Sequence, residues 1–109
     1  MGMDLYSLGW RRSTPPEVIK AAEADPFNPG PSLHYNWTGW SYVTDLFQSW
    51  GVPMDEFAGD NSGEKLSRAT CQAVAEAFDA HWNELSEFDQ GWLKPHVDKW
   101  RWTKHYEQC

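Results

Sequence analysis

Cysteine, positive charge and long apolar runs are what this chain of 109 residues has least of, and each shortage excludes something. Two cysteines, Cys71 and Cys109, cannot form the disulfide framework that staples small secreted domains. Cys71 falls in an apolar helical pattern and reads as a reduced core thiol. No stretch approaches the roughly 18 apolar residues that a bilayer span needs, and no signal peptide is visible, so a cytoplasmic location and no membrane partner are expected. Tyr6 stands where a myristoylation signal requires Ser or Thr, which removes lipidation at Gly2. Nine lysines and arginines face sixteen acids, for a formal net charge of -7. A chain so acidic, with pI near 4.9, has no long-range attraction to a nucleic-acid backbone, and no direct nucleic-acid partner is expected. Metal-ligand spacing is missing as well: His81, His96 and His105, with Glu84 or Asp98, form neither an i, i+4 pair nor part of a Cys-x-x-Cys pattern. No metal and no cofactor are therefore expected. Nor is there a nucleophile signature, because Cys71 has only Arg68 as a basic neighbour and His34 beside Tyr35 stands alone. The chain reads as a protein without catalytic residues, not an enzyme.

What it does have is tryptophan, eight in all, within a composition that is 40% hydrophobic and 16% aromatic. That content supports one folded domain over residues 1–109 and argues against disorder. Trp37 and Trp40 lie in the polar segment His34-Tyr35-Asn36-Trp37-Thr38-Gly39-Trp40, whereas Trp92, Trp100 and Trp102 approach the C-terminal end beside Lys99 and Arg101. An indole supplies a rigid apolar face and one N–H donor, which suits a core and a binding surface equally.

Patterning predicts an α-rich α+β fold, a small single domain of about four helices with at most a minor short strand pair. Met3, Leu5, Tyr6 and Leu8 suggest a strand that Gly9 ends. Ser13-Thr14-Pro15-Pro16-Glu17 reads as a helix start, with the helix over Val18 to Ala24. Residues 25–32, with Pro26, Pro29, Gly30 and Pro31, form a loop, and Leu33 to Trp37 a second extended piece. A helix is expected from about Gly39 or Trp40 to Trp50, where Trp40, Val43, Phe47 and Trp50 follow helical spacing and Gly51 suits a left-handed cap. Residues 52–66 read as loop, with a turn at Asp55 to Phe57. Ser67 caps the longest helix, Arg68 to Leu85, with Cys71, Val74, Ala75, Phe78, Trp82 and Leu85 inward. Gly91 and Pro95 split the remainder into short helices near Ser86 to Leu93 and from Pro95 to His105.

Three fragments are similar to a known group. The start Met1-Gly2-Met3-Asp4-Leu5-Tyr6, the stretch Tyr35-Asn36-Trp37-Thr38-Gly39-Trp40, and Asn61-Ser62-Gly63 ahead of a Cys-containing helix resemble an uncharacterised family of small bacteriophage and bacterial proteins. Its members share a Met-Gly-x-Asp-aliphatic-Tyr start and a Trp-rich turn entering a helix. The resemblance spans about the first 80 residues and implies phage-related origin, with host-cell cytoplasm as the setting; it implies no chemistry.

Flat aromatic faces beside amide groups suit a planar ring whose edge needs donors and acceptors. Tyr35, Asn36, Trp37, Trp40 and Asn61 are accordingly the candidate base-reading residues. Arg11, Arg12 and Arg101, the last flanked by Trp100 and Trp102, are the candidate phosphate-binding group. The same residues equally suit a structural role, with Trp37 and Trp40 anchoring a helix and basic stems covering indoles. Trp50 and Trp82, on apolar stripes, are core. The function expected is non-enzymatic sequestration of a small aromatic ligand, a nucleotide immune signal, by a phage-type anti-defence sponge acting as a homo-oligomer. The alternative is an acidic inhibitor that covers a basic surface of a host protein, through Asp55, Glu56, Asp60, Glu64, Glu76, Asp79, Glu84, Glu87 and Asp89. A nucleotide-acting enzyme stands third.

Overall fold

Antiparallel pairing between sequence-distant segments organises the molecule. A computed structural model describes residues 2–10, 14–25, 29–57 and 65–108. Within these, strands β1 (Gly2–Leu8), β2 (Leu33–Asn36), β3 (Lys65–Leu66) and β4 (His105–Gln108) form one antiparallel sheet in the order β2-β1-β4-β3. Helices α1 (Pro16–Glu23), α2 (Trp37–Ser49), α3 (Arg68–His81) and α4 (Glu87–Trp102) complete the described elements, with a short 3₁₀ turn at Trp82–Glu84. No helix among the described residues is long and apolar enough to cross a membrane.

The sheet is more than the minor strand pair expected. Its register aligns Met3 with Tyr35, Leu5 with Leu33 and Gln108, and Tyr106 with Ser7 and Leu66. One face is therefore buried through Met3, Leu5, Leu33, Tyr35, Leu66 and Tyr106, while Tyr6, Leu8, His34 and Asn36 lie exposed on the other. Strand β4 replaces the expected helical continuation to His105, and β3 lies inside the expected 52–66 loop. Neither has a strong local strand signal; pairing with β1 and with each other decides their conformation. Gly2 shows how closely β1 approaches β2, since a Cβ there would stand 2.0 Å from the Tyr35 carbonyl oxygen.

Helices begin where short polar side chains meet free amides. The Asn36 side chain accepts the Gly39 N–H at 2.6 Å, Ser67 caps Thr70 at 3.4 Å and Ser86 caps Asp89 at 3.2 Å. At the start of α1 the capping position is Pro15, without a side-chain bond, and Ser13 lies outside the described residues. Helix α2 buries Trp40, Val43 and Phe47 and closes at Gly51 with φ of +84°, a left-handed position natural to glycine. Helix α3 buries Cys71, Val74, Ala75 and Phe78 and gives way to the 3₁₀ turn before Leu85.

Helix α4 runs unbroken where two helices were expected. Pro95 has no N–H, so the Gly91 carbonyl loses its donor four residues on. Both residues are exposed, which leaves that carbonyl accessible to solvent, while buried Leu93, His96, Lys99 and Trp100 on the opposite face hold the helix in place. The core collects at this face: Phe47, Phe78, Trp100, Tyr106 and Leu66 are fully buried. Trp100 meets Phe47 edge-on at 5.7 Å and Tyr106 at 5.0 Å. A buried ion pair, Lys99 Nζ to Asp25 Oδ2 at 2.9 Å, ties the segment after α1 to α4.

Candidate functional site

Between the end of β2, the first turns of α2 and the first half of α4 lies a groove of about 970 Å³. That volume lies in the range of small-ligand sites. The end of β2 supplies Tyr35 and Asn36, the first turns of α2 supply Thr38, Gly39 and Tyr42, and α4 supplies Phe88, Asp89, Gly91, Trp92, Pro95 and His96. Asp25 and His34 complete the lining.

Tyr35 forms the floor. Its ring packs against Trp40 behind it at 5.6 Å and against His96 at 5.2 Å, nearly perpendicular. Its hydroxyl oxygen accepts the Trp100 indole N–H at 3.3 Å and lies 3.0 Å from His96 Nδ1. Burial, and then the Lys99 charge, push His96 down to about 4 against the opposing pull of Asp25, so the ring is neutral near pH 7. Neutral Nδ1 then accepts the Tyr35 hydroxyl proton, giving the chain Trp100 N–H to Tyr35 O–H to His96 Nδ1. Burial also pushes the Tyr35 hydroxyl pKa well up, so it stays protonated.

One wall is built around Asp89. Its Oδ2 accepts the Tyr42 hydroxyl at 2.6 Å and its Oδ1 accepts the Trp92 indole N–H at 3.0 Å. These two bonds, with a smaller contribution from Ser86, hold the carboxyl below its ordinary range despite partial desolvation. The same Tyr42 bond, the largest cause, raises the tyrosine's pKa. The Tyr42 and Trp92 rings stand 6.5 Å apart with a tilt of 32°, and Phe88, 80% exposed, forms the lip. Among the described residues, neither lysine nor arginine lines the groove. Asp25 is paired with Lys99 and His34 with Asp4, whereas Asp89 is held by the uncharged donors of Tyr42 and Trp92.

Of the residues singled out by the sequence, Tyr35 and Asn36 line this groove, although the Asn36 side-chain oxygen is engaged in capping α2. Trp40 is 4% exposed and lies in the core behind Tyr35. Trp37 is exposed at the first turn of α2 but is not part of the lining. Trp100 is corrected from surface to core: its basic neighbours suggested an exposed position, but the turn of α4 directs it and Lys99 inward. Arg101 binds Asp79 with bonds of 2.5 and 2.6 Å and Asp98 at 3.3 Å, on the side of α4 that faces α3. Trp102 is half-buried at the end of α4, where its carbonyl accepts from Arg68. Arg11, Arg12 and Asn61 lie outside the described residues. Of the expected site, Tyr35 and Asn36 alone among the described residues line the groove; Trp37, Trp40, Trp100, Arg101 and Trp102 do not join them.

Sequence reasoning did not select Tyr42, Phe88, Trp92 or His96 for the site, and placed Asp89 only among acidic surface residues. Asp89 and Trp92 share a helical turn, a readable signal, but Tyr42 reaches them from 47 positions away. Among the described residues no three His, Cys, Asp or Glu side chains are grouped to hold a metal ion. The arrangement sets aromatic side chains and one carboxylate around a space of small-ligand size. No protein-family model, no curated protein and no solved structure matches the chain.

Proposed function

We propose that the protein is a non-catalytic binding protein that takes a small planar aromatic ligand of nucleobase type in the groove between α2 and α4. The single observation that carries this reading is the groove wall itself, in which Tyr42 and Trp92 direct their polar atoms to Asp89 while their rings, with exposed Phe88, border a space of small-ligand size. The floor supports binding over turnover. Tyr35 and His96 bond to one another and are buried. Burial pushes the Cys71 thiol up to about 12, which withholds it from nucleophilic use. Sequestration of a nucleotide immune signal, the anti-defence sponge suggested by the phage resemblance, is the biological form of this proposal. In that form the base occupies the groove and the phosphates extend beyond its lining.

The acidic-inhibitor reading gains less support. Four of its carboxylates are bonded within the chain: Asp79 to Arg101, Glu84 to His81 at 2.6 Å, Glu56 to the Ser67 N–H, and Asp89 to Tyr42 and Trp92. A panel of nucleosides, nucleotides, cyclic dinucleotides, cyclic trinucleotides and ADP-ribose tests the reading by calorimetry and thermal shift. A ligand that fills the groove raises the melting temperature by mass action and is recovered unchanged after heating the complex. No response to any member of the panel would overturn the proposal, and recovery of an altered ligand would replace binding by catalysis.

A further inference from the structure

We infer that the groove selects guanine among planar aromatic ligands, by accepting its two adjacent N–H donors on the Asp89 carboxylate. This rests on the reading of the groove as an aromatic-ligand site. A carboxylate offers two lone pairs on each oxygen. In Asp89 the Tyr42 hydroxyl bonds Oδ2 and the Trp92 indole N–H bonds Oδ1, with the Ser86 side chain contributing more weakly, and we take the second lone pair of each oxygen as the acceptor pair offered to a ligand. Two parallel donors on one planar edge match that pair.

Guanine presents N1–H beside its 2-amino group, whereas adenine places an acceptor nitrogen beside its donor and would set a lone pair against the carboxylate. Hypoxanthine retains N1–H but lacks the amino group. A guanidinium carries the same paired donors without a bicyclic face, and the groove, at about 970 Å³ with Tyr42, Trp92 and exposed Phe88 beside Asp89, offers more aromatic surface than a guanidinium covers. Because no lysine or arginine among the described residues lines the groove, a 5′-phosphate adds no contact with that lining.

Calorimetry on the full chain with guanosine, inosine, adenosine, guanosine 5′-monophosphate and agmatine tests the inference. Guanosine should bind at least about tenfold more tightly than adenosine, the discrimination typical of a bidentate contact, with inosine between them and the monophosphate no tighter than guanosine. Adenosine binding as tightly as guanosine would overturn guanine selection while leaving the aromatic-ligand reading intact. Failure of every aromatic ligand would overturn both. Agmatine binding as tightly as guanosine would transfer the paired-donor site to guanidinium compounds and overturn the base assignment. Asp89→Asn replaces one acceptor by a donor and should abolish the preference for guanosine; a preference that persists would overturn the inference. 1-Methylguanosine, which lacks N1–H, makes the same test on the unaltered protein: it should bind more weakly than guanosine, and equal affinity for the two would overturn the inference.

Discussion

Two aromatic assemblies share helix α4, one on each side, and they are built differently. Inside, Phe47, Phe78 and Trp100 meet edge to face at 5.6 to 5.7 Å, and all three are fully buried. Around the groove, Tyr42, Phe88 and Trp92 retain exposed or half-exposed surface, and the polar atoms of Tyr42 and Trp92 bond to one carboxylate. Similar side chains thus act as filling in one place and as the border of an open groove in the other. What separates them is that the inner rings are wholly enclosed by their neighbours, whereas the outer ones, although they also touch other rings, border an open groove. Tyr35 lies on the boundary, its ring forming the groove floor and its hydroxyl receiving the indole N–H of the core residue Trp100.

Substitutions on the two sides should therefore separate stability from binding. Trp100→Ala is expected to cost about 3–5 kcal/mol in denaturant unfolding, because it leaves a large cavity among rings that cannot all collapse into it. A loss below about 1 kcal/mol would remove the distinction between the inner cluster and the groove. Acidification tests the boundary. His96 titrates near 6.5 when unperturbed but at about 4 in the folded protein, so the unfolded chain binds the proton more readily between those values. The stability associated with neutral His96 is complete above pH 6.5 and is lost as the pH falls toward 4, by up to about 3 kcal/mol. His96→Gln should flatten that part of the pH profile of unfolding free energy, and an unchanged slope would assign it to other groups. Tyr35→Phe removes the shared hydroxyl from both the Trp100 and His96 nitrogens and should cost about 1–3 kcal/mol, measured by urea unfolding. Phe88→Ala should change stability by no more than about 0.5 kcal/mol, since the side chain is exposed, while weakening ligand affinity in calorimetry.

How much of this is legible in the sequence depends on whether a residue's surroundings are local. The body and end of helix α2, with its Trp40, Val43 and Phe47 stripe and its closing Gly51, follow from spacing, as does the Ser67 start of α3, whereas the Asn36-capped start of α2 at Trp37 falls inside the expected extended piece. Strand β4 does not, because His105 to Gln108 holds a single apolar side chain, Tyr106, and its strand geometry comes from β1 and β3 on either side. Pro95 does not break α4, because the interruption of the ladder falls on the exposed face of a helix whose other face is firmly packed. At the site, Tyr35 and Asn36 can be selected from their aromatic and amide neighbourhood. Tyr42 has no assignable role without its distant partner Asp89, and the charges flanking Trp100 point to the wrong environment.

The pairing of β1 with β4 has a consequence for synthesis. Ser7 and Thr103, whose side-chain oxygens meet at the end of this pairing, are 96 positions apart in sequence. On a ribosome adding about 5–20 residues per second, β1 waits roughly 5 to 20 seconds for its central neighbour to be made. During that interval Met3 and Leu5 lack part of their cover, and one long edge of β1 remains open to pairing with another nascent chain. The finished sheet closes only when β4 arrives, and the yield of folded protein should depend on how well that early strand is kept apart from other copies.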